Sequence, residues 1–315
     1  MIPVLYEMPR AMQAQADVWR NPKNWGMVTP NAGRSVTIER LVEEFDTAQA
    51  TGEEELRAWA SQHLNVEIGL ALHSDRWAGA DYWEAAARPA FTLDELLERC
   101  EVVTVGIDGG GHDDLLGFCV IGRVIDTRTW MVWTHAWAHP DVLIRRKSEA
   151  ERFRDFVREG TLTITEEHKD DVIEVASIVE HIEASGKLNL IGVDAAGLGG
   201  ILDALGEVGI FPIDDKSTNS CKKIVAIKQG GWLNGAILTV ERKLAEGGLI
   251  HGGQLLMNYC IGNAKIEAKG MTVSITKQTS GRAKIDPLSA MLDAAELMLR
   301  NPEIAKKKFQ FFAVG

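Results

Sequence analysis

Two uncharged, strongly apolar runs, each ending in an aspartate, constrain the fold more than any other feature of the sequence. The first is VVTVGI at 102–107, followed by Asp108, and the second is LNLIGV at 188–193, followed by Asp194. Such runs are typical of strands that are buried on both faces of an α/β sheet. Side chains at the carboxyl ends of these strands emerge into a crevice. If the two strands are neighbours, both carboxylates therefore meet at one point.

The order of the other elements narrows the fold class. Apolar patterns at 115–125 and 129–136 predict two further strands, and their short connections are typical of an antiparallel meander. Helical patterns at 141–159 and 170–185 precede the second run, and more helices follow it. This order is that of the ribonuclease-H-like fold. We predict an α/β class with a ribonuclease-H-like mixed sheet, made of three antiparallel strands plus parallel strands and flanked by helices.

A third aspartate, Asp286, stands with Pro287 at the start of a helix predicted over 286–300. The apolar face of this helix must pack on the sheet. Three converging carboxylates repel one another unless a cation is present, and oxygen-only ligands suit Mg²⁺ or Mn²⁺. Two such ions about 4 Å apart can activate a water and stabilise the leaving oxygen in phosphodiester hydrolysis. Each aspartate alone could equally be a turn former or a helix cap, but together they favour a catalytic metal site.

Composition excludes several classes of protein. The 315 residues are enough for one large or two modest domains. No apolar run approaches the roughly 20 residues that span a bilayer, and the start has no secretory pattern, so we expect a cytoplasmic protein. The four cysteines have neither zinc-finger nor disulfide spacing. A net charge of −11 argues against a histone-like binder, but not against a nuclease with acidic ligands.

Several stretches resemble the nuclease domain of the large terminase subunits of tailed bacteriophages. VTVGIDGGGHDD at 103–114, LIGVDAAG at 190–197 and SGRAKIDPLSAMLDA at 280–294 are similar to that family's three acidic motifs. The segment 252–266, with GQLLMNYCIGNAKI, matches the family's short helix followed by an asparagine and a strand. The segment 21–41 resembles the connection between the family's ATPase and nuclease halves. The resemblance covers most of the chain, and KIDPLSA is its most specific motif.

This resemblance implies an activity and a set of site residues. The activity is that of a two-metal-ion endonuclease, which cuts double-stranded DNA during viral genome packaging. Asp108, Asp194 and Asp286 would be the catalytic residues and would hold two Mg²⁺ or Mn²⁺ ions. Asp114 stands where the family often has another acid, although a hairpin residue explains it equally well. We interpret Asp293, further along the last helix, as a solvated residue, with a place in the outer shell of the metal site as the alternative.

The resemblance also implies an organisation and a set of partners. Residues 1–45 would be a remnant of the ATPase-side connecting region, 46–98 a helical linker region, 99–301 the nuclease domain and 302–315 a C-terminal tail. No phosphate loop of the type G-x-x-x-x-G-K-S/T is present, so we expect no ATPase activity from this chain alone. The sequence leaves open a truncated chain, a split subunit or a decayed gene. The implied partners are double-stranded DNA, the small terminase subunit, the portal or procapsid, and an ATPase domain on a missing segment or a separate chain; no membrane is implied.

Basic residues accumulate just before the third motif. A solvated hairpin face is the ordinary explanation of such a run, but its position beside Asp286 favours a strip for DNA phosphates. No element has the pattern of a base-reading helix, so we expect little sequence preference in cutting. The predicted DNA-binding residues are Lys265, Lys269, Lys277, Arg282 and Lys284.

Three other functions remain open. An actin-like sugar kinase or ATPase could use GIDGGG at 106–111 as a phosphate loop, but His112 stands where those enzymes have a hydroxyl residue. A junction resolvase or transposase of the same fold would need dimerisation or end-binding modules, which residues 1–98 do not resemble. A docking module with a decayed site is disfavoured by the three intact acids.

Overall fold

The computed structural model of this chain describes residues 6–13, 15–66, 76–109, 114–147, 149–167, 169–194, 199–216, 220–277 and 284–303. The chain divides into two compact units, Met1–Arg76 and Trp77–Gly315. This division falls inside the segment 46–98. The roles assigned above to 1–45, 46–98, 99–301 and 302–315 stay predictions.

The first unit is helical and is built around three aromatic rings. Trp25, Phe45 and Trp59 contact one another, with ring centroids 5.1 to 5.4 Å apart. Aromatic groups of this kind supply a large buried apolar area for a small unit. Thr37 caps the longest helix, because its side chain accepts a hydrogen bond from the backbone of Arg40. The elements are α1 (Arg10–Gln13), α2 (Ala16–Trp19), a 3₁₀ helix (Pro22–Met27), α3 (Ile38–Thr51) and α4 (Glu53–Leu64).

The second unit alternates strands and helices after two short helices. The second of these, α6, begins with a capping box, in which the side chains of Thr92 and Glu95 each accept from the other's backbone. The helices are α5 (Ala80–Ala86), α6 (Leu93–Arg99), α7 (Asp141–Arg145), α8 (Ala150–Glu159), α9 (Asp170–Ala184), α10 (Gly199–Glu207), α11 (Asn234–Ala245), α12 (Leu255–Gly262) and α13 (Asp286–Leu299), with a 3₁₀ helix at Gly230–Leu233. None of the described helices has the length and apolar character that a bilayer span requires.

The strands form one mixed sheet and a separate hairpin. The sheet has the order β4-β3-β2-β1-β5-β7-β6, and β8 pairs with β3. The hairpin consists of β9 and β10. The strands are β1 (Cys100–Gly109), β2 (Leu116–Val124), β3 (Trp130–Ala138), β4 (Leu162–Ile164), β5 (Leu188–Asp194), β6 (Ile210–Pro212), β7 (Cys221–Ile227), β8 (Leu249–His251), β9 (Ala264–Lys269) and β10 (Thr272–Lys277).

The predicted fold class is confirmed. Strands β1, β2 and β3 form the antiparallel meander, and β5 joins β1 in parallel, as in the ribonuclease-H-like order. Strand β7 adds a second parallel neighbour to β5. The sequence patterns do not predict β7, nor the three-residue strands β4, β6 and β8.

The two faces of β1 have different partners. Val103, Val105 and Ile107 belong to the main apolar core, together with residues of α9 and α10. Because successive side chains of a strand point to opposite faces, the residues between them face the other way. That second face is covered by α13, which packs against β1, β2 and β5. The prediction that the apolar face of α13 packs on the sheet is thus confirmed.

Candidate active site

Asp108 and Asp194 end two neighbouring parallel strands. Ile107 of β1 lies opposite Val193 of β5, so the next residue of each strand leaves the sheet at the same edge. The pKa of Asp108 is raised to about 6, mainly by burial and in addition by the negative charge of Asp194. The structure thus brings together the first two acids that the sequence predicts.

Asp108 lies on the face of β1 that α13 covers. Thr104, two positions before Gly106 on this face, donates a side-chain hydrogen bond of 2.8 Å to the carbonyl of Ala294 in α13. At Gly106 the helix comes so close that a Cβ atom would lie 1.9 Å from the carbonyl oxygen of Ala290. Only glycine permits this approach of one backbone to another. The helix is therefore fixed directly on the strand that carries Asp108.

A second glycine positions the start of α13. Gly117 of β2 pairs with Asp108, and a Cβ atom there would lie 2.5 Å from the carbonyl carbon of Asp286 and 2.6 Å from the nitrogen of Pro287. The first turn of α13 therefore lies over the strand that neighbours Asp108. The N-cap residue is Ile285, and it makes no side-chain cap hydrogen bond. The interpretation of Asp286 as a helix cap is therefore wrong.

Asp286 is a buried carboxyl in an acidic environment. It is 3% exposed, and its Oδ2 atom has no hydrogen-bond partner among the described residues. Burial is the largest cause that raises the pKa of Asp286, to about 7, and the charges of Asp114 and Asp108 add to it while Lys277 opposes it. A buried polar atom without a partner is rare in folded proteins and calls for an explanation. A bound cation would provide one.

Two ammonium groups contact Asp114, and one of them also lies near Asp286. Lys284 and Lys277 both contact its carboxylate, Lys277 at 3.3 Å, and Lys277 Nζ also lies 3.6 Å from Asp286 Oδ1. Burial would raise the pKa of Asp114, but the hydrogen bond and charge of Lys284 and the charge of Lys277 outweigh it and lower the pKa. Burial likewise acts to lower the pKa of Lys277, and the carboxylates Asp286, Asp114 and Asp108 raise it overall. The two lysines thus neutralise part of the negative charge.

The other predicted DNA-binding residues have different environments. Lys284 is 3% exposed, so it would have to leave its pair with Asp114 to reach a phosphate. Lys265 is half-buried on β9. Lys269 ends β9, but its side chain and the whole of Arg282 lie outside the described part of the chain. The phosphate strip therefore stays a prediction.

Asp293 belongs to the same acidic region, although its sequence context favoured a solvated residue. That interpretation is wrong, because Asp293 is 0% exposed. Burial raises its pKa to about 8; Gln229 donates a 2.9 Å hydrogen bond to its Oδ1 atom and opposes the shift, while the charges of Asp108 and Asp194 add to it. A usable signal was present in the sequence: Asp293 follows Asp286 by seven residues, which are about two helical turns and place both on one face.

The segment before α13 folds as its sequence predicts. Helix α12 ends at Gly262, Asn263 follows, and β9 begins at Ala264. The side chain of Asn263 donates a 3.2 Å hydrogen bond to the carbonyl of Lys284. Asn263 therefore holds the chain just ahead of Asp286.

The acids have the donor chemistry that a divalent metal requires, but they do not form a complete coordination site. Their donors are carboxylate oxygens, which Mg²⁺ and Mn²⁺ prefer, and Asp286 Oδ2 is buried without a partner. Over the described ranges, no three His, Cys, Asp or Glu side chains lie close enough together to hold an ion. Lys277 and Lys284 lie beside Asp114 and Asp286 instead. The donor set is thus suitable, while ammonium groups supply the positive charge.

The phosphate loop of the kinase alternative, GIDGGG at 106–111, is described only as far as Gly109. Gly109 has a φ of +95°, and a Cβ atom there would lie 2.0 Å from the carbonyl oxygen of Leu115. Both observations require glycine for the backbone path between β1 and β2. A phosphate group is not needed to explain this glycine.

No protein-family model matches the sequence, and no curated protein matches it. Solved structures do. The large terminase of bacteriophage HK97 is similar over 93% of this chain and 56% of its own, with a TM-score of 0.56 and 17% identity; the chain thus spans little more than half of that terminase.

The large terminase nuclease of the thermophilic phage G20c is similar over 71% of this chain and 98% of its own, with a TM-score of 0.44 and 12% identity. The same nuclease with bound magnesium gives a TM-score of 0.42 and 11% identity over the same shares. From its sheet order and the HK97 similarity, this chain has the ribonuclease-H-like fold that it shares with a bacteriophage large terminase.

Proposed function

We propose that this chain is the nuclease part of a phage large terminase, a metal-dependent endonuclease that cuts double-stranded DNA with low sequence specificity during genome packaging. The observation that supports it best is electrostatic. Burial is the largest cause that raises the pKa values of Asp108 and Asp286; the charge of Asp194 adds to the first shift, and the charges of Asp114 and Asp108 add to the second. Groups that repel one another in this way destabilise a fold and favour cation binding, so they are typical of functional sites.

The metal ligands of this proposal are Asp108, Asp194 and Asp286, with Asp114 as a further acid. Two Mg²⁺ or Mn²⁺ ions, when bound, would supply a more acidic water and would stabilise negative charge on the leaving oxygen of a phosphodiester. The G20c nuclease was solved with bound magnesium. For this chain, the donor oxygens and the unpartnered Asp286 Oδ2 are what favour such ions.

The chain's own residues would hold and neutralise the acids. Helix α13 is fixed on Gly106 and Gly117, and the Ser289 side chain donates a hydrogen bond to Asp108. Because the pKa of Asp108 and that of Asp286 are raised, cation binding near neutral pH would release protons. Lys277 and Lys284 would neutralise Asp114 and Asp286 until ions arrive.

The partners in this proposal are those that the resemblance implies. Double-stranded DNA would be the substrate, with its phosphates near the β9–β10 hairpin. The small terminase subunit and the portal or procapsid would be protein partners, and an ATPase domain would act from elsewhere. The location would be the host cytoplasm. The predicted contacts to DNA are Lys265, Lys269, Lys277, Arg282 and Lys284.

A plasmid-cleavage assay tests the proposal. We expect the purified chain to nick and linearise supercoiled plasmid with Mn²⁺ or Mg²⁺ and to be inactive with a chelator. Asp108→Asn, Asp194→Asn and Asp286→Asn should each reduce cutting at least ~100-fold. Asp203→Asn, which changes an exposed carboxylate on α10, should leave cutting unchanged. An ATPase assay on the same sample should give no turnover.

Two results would contradict the proposal. If a folded Asp286→Asn variant still cuts DNA, the assignment of Asp286 as the third metal ligand is wrong. ATP-dependent phosphorylation without any DNA cleavage would favour the actin-like alternative instead.

A further inference from the structure

One large aromatic side chain of the second unit stands in solvent. Trp232, in the 3₁₀ helix before α11, is 71% exposed. Its neighbour on this surface is Lys228, whose ammonium lies 4.6 Å from the centre of the indole ring. A tryptophan left this exposed loses the apolar burial for which tryptophans are usually retained. The exposed ring is therefore available to a ligand.

The surroundings of Trp232 form a small cavity with cationic walls. The cavity has a volume of about 240 Å³ and is lined by Ala226, Ile227, Lys228, Trp232, Glu296 and Arg300. Arg300 lies 3.8 Å from Glu296, one helical turn earlier. The wall thus carries two cations and one anion beside an aromatic face, in a chain with a net charge of −11.

The topology connects this cavity to the candidate active site. Ile227, the last residue of β7, pairs with Asp194 of β5. Lys228 is the next residue, so it leaves the sheet at the same edge as that carboxylate. Gln229 then donates its hydrogen bond to Asp293. The surface of Lys228 and Trp232 therefore continues directly from the acidic region.

We propose that Lys228, Trp232 and Arg300 form a nucleotide-binding surface for a DNA strand with an unpaired base. The base stacks on the Trp232 ring, and Lys228 and Arg300 contact the neighbouring phosphates. Aromatic faces with adjacent cations bind single-stranded nucleic acid in this way, without sequence preference. This inference rests on the proposed nuclease function and adds that one strand of the duplex substrate is locally unpaired where it meets Trp232.

The test is a binding measurement that needs no cleavage. A fluorescein-labelled 12-nucleotide single strand is titrated with the full chain in chelator, and anisotropy gives the Kd. We expect Trp232→Ala to weaken binding ~5- to 150-fold and Trp232→Phe to retain part of it. Lys228→Gln should reduce the slope of log Kd against log salt by roughly 0.7. Glu296→Gln should tighten binding, because it removes the anion from the wall.

Tyr82→Ala is the matched control, since it removes another exposed aromatic side chain of the second unit. It should leave the Kd unchanged. If Trp232→Ala binds the strand within twofold of the parent while its melting temperature is unchanged, the inference is wrong, and a protein partner is the remaining occupant. If the parent cuts plasmid but Trp232→Ala binds the single strand as well as the parent does, only this inference is wrong. If binding depends on Trp232 but the parent cuts no plasmid, only the nuclease proposal is wrong.

Discussion

The Cα atom of Gly106 faces the carbonyl oxygen of Ala290 so closely that a methyl group on it would lie 1.9 Å from that oxygen. The same methyl would lie 2.7 Å from the backbone nitrogen of Ala294. Gly106 pairs with Gly192 of β5, where a Cβ would lie 3.2 Å from the carbonyl oxygen of Asp293. The neighbouring strands β1 and β5 thus each have a glycine where helix α13 packs against them. This contact brings the acids of α13 close to those of the strands.

Gly106→Ala tests this contact. Both atoms that the new methyl meets belong to the backbone and cannot rotate away, so strand and helix must separate. We expect a loss of unfolding free energy of roughly 3 kcal/mol or more, measured by urea denaturation. Gly235→Ala in α11 is the control, because a Cβ there meets nothing within 4 Å, and it should be neutral or stabilising. Equal stability of Gly106→Ala and the parent would show that the helix does not lie this close.

The buried carboxyl of Asp293 predicts an unusual pH dependence. Its pKa is about 8 in the folded chain and about 3.9 in an unfolded one. Between these two pKa values the folded state binds more protons than the unfolded state. The free energy of unfolding therefore decreases as pH rises from about 4 to 8, and the Asp293 carboxyl is least favourable to folding at high pH. Asp293→Asn keeps the Gln229 hydrogen bond and removes the titration. We expect it to stabilise the metal-free protein by about 1–3 kcal/mol at pH 8 and by less at pH 5.

Denaturant unfolding in chelator at both pH values measures this effect. Asp203→Asn is again the matched control and should follow the parent at each pH. If parent and Asp293→Asn lose stability in parallel between pH 5 and 8, the carboxyl of Asp293 is not protonated in the folded state.

Local signals explain why much of the fold could be predicted. The uncharged apolar runs at 102–107 and 188–193 predict β1 and β5, and the spacing of Thr92 and Glu95 is typical of a helix start such as that of α6. Each signal lies within a few consecutive residues and requires no knowledge of the partner. Strand β7 carries no such signal, because CKKIVAI becomes a strand through its parallel pairing with β5, and strand propensity depends on context.

The parts of the site that were missed depend on packing between distant segments. The sequence identifies Asp286 by its motif, but it does not show that α13 lies on Gly106 and Gly117. Without that contact, Asp293 has the same pattern as a solvated helix residue. The sequence pattern likewise predicts an exposed position for Lys284. In the structure its ammonium instead contacts the carboxylate of Asp114, 170 residues earlier in the chain.

Lys277 predicts a competition between its ammonium and divalent cations. It lies 3.3 Å from Asp114 and 3.6 Å from Asp286, so a cation near these acids must displace it or bind against its charge. Lys277→Gln should lower the melting temperature in chelator, because the acids then repel one another without compensation. It should also bind Mn²⁺ roughly tenfold more tightly, as measured by calorimetry.

The control for this prediction is Lys169→Gln, which changes an exposed lysine beside α9 and should alter neither value. Weaker Mn²⁺ binding by a folded Lys277→Gln would mean that the ammonium supports the cation site instead of competing with it. Absence of any Mn²⁺ binding in the parent would count against the ligand assignment itself.

His251 predicts a loss of stability in acid. It is stacked on Trp83 with ring centroids 3.7 Å apart. Its Nδ1 accepts from the backbone of Gly253, and its Nε2 lies 2.8 Å from the carbonyl of Trp83. This pattern requires the neutral ring with its proton on Nε2, and burial lowers the pKa of His251 to about 4. Because the unfolded value is about 6.5, the folded state binds fewer protons between these values.

The stability that neutral His251 provides is therefore lost as pH falls from about 6.5 to 4. Asp293 and Asp286 act in the opposite direction over the same range, so the test compares variants and not the parent alone. His251→Phe keeps the stacked ring but cannot titrate; it should be less stable than the parent at pH 7 by about 1–3 kcal/mol, with the difference shrinking toward pH 4.5. A constant difference between His251→Phe and the parent from pH 7 to 4.5 would show that His251 is not held neutral.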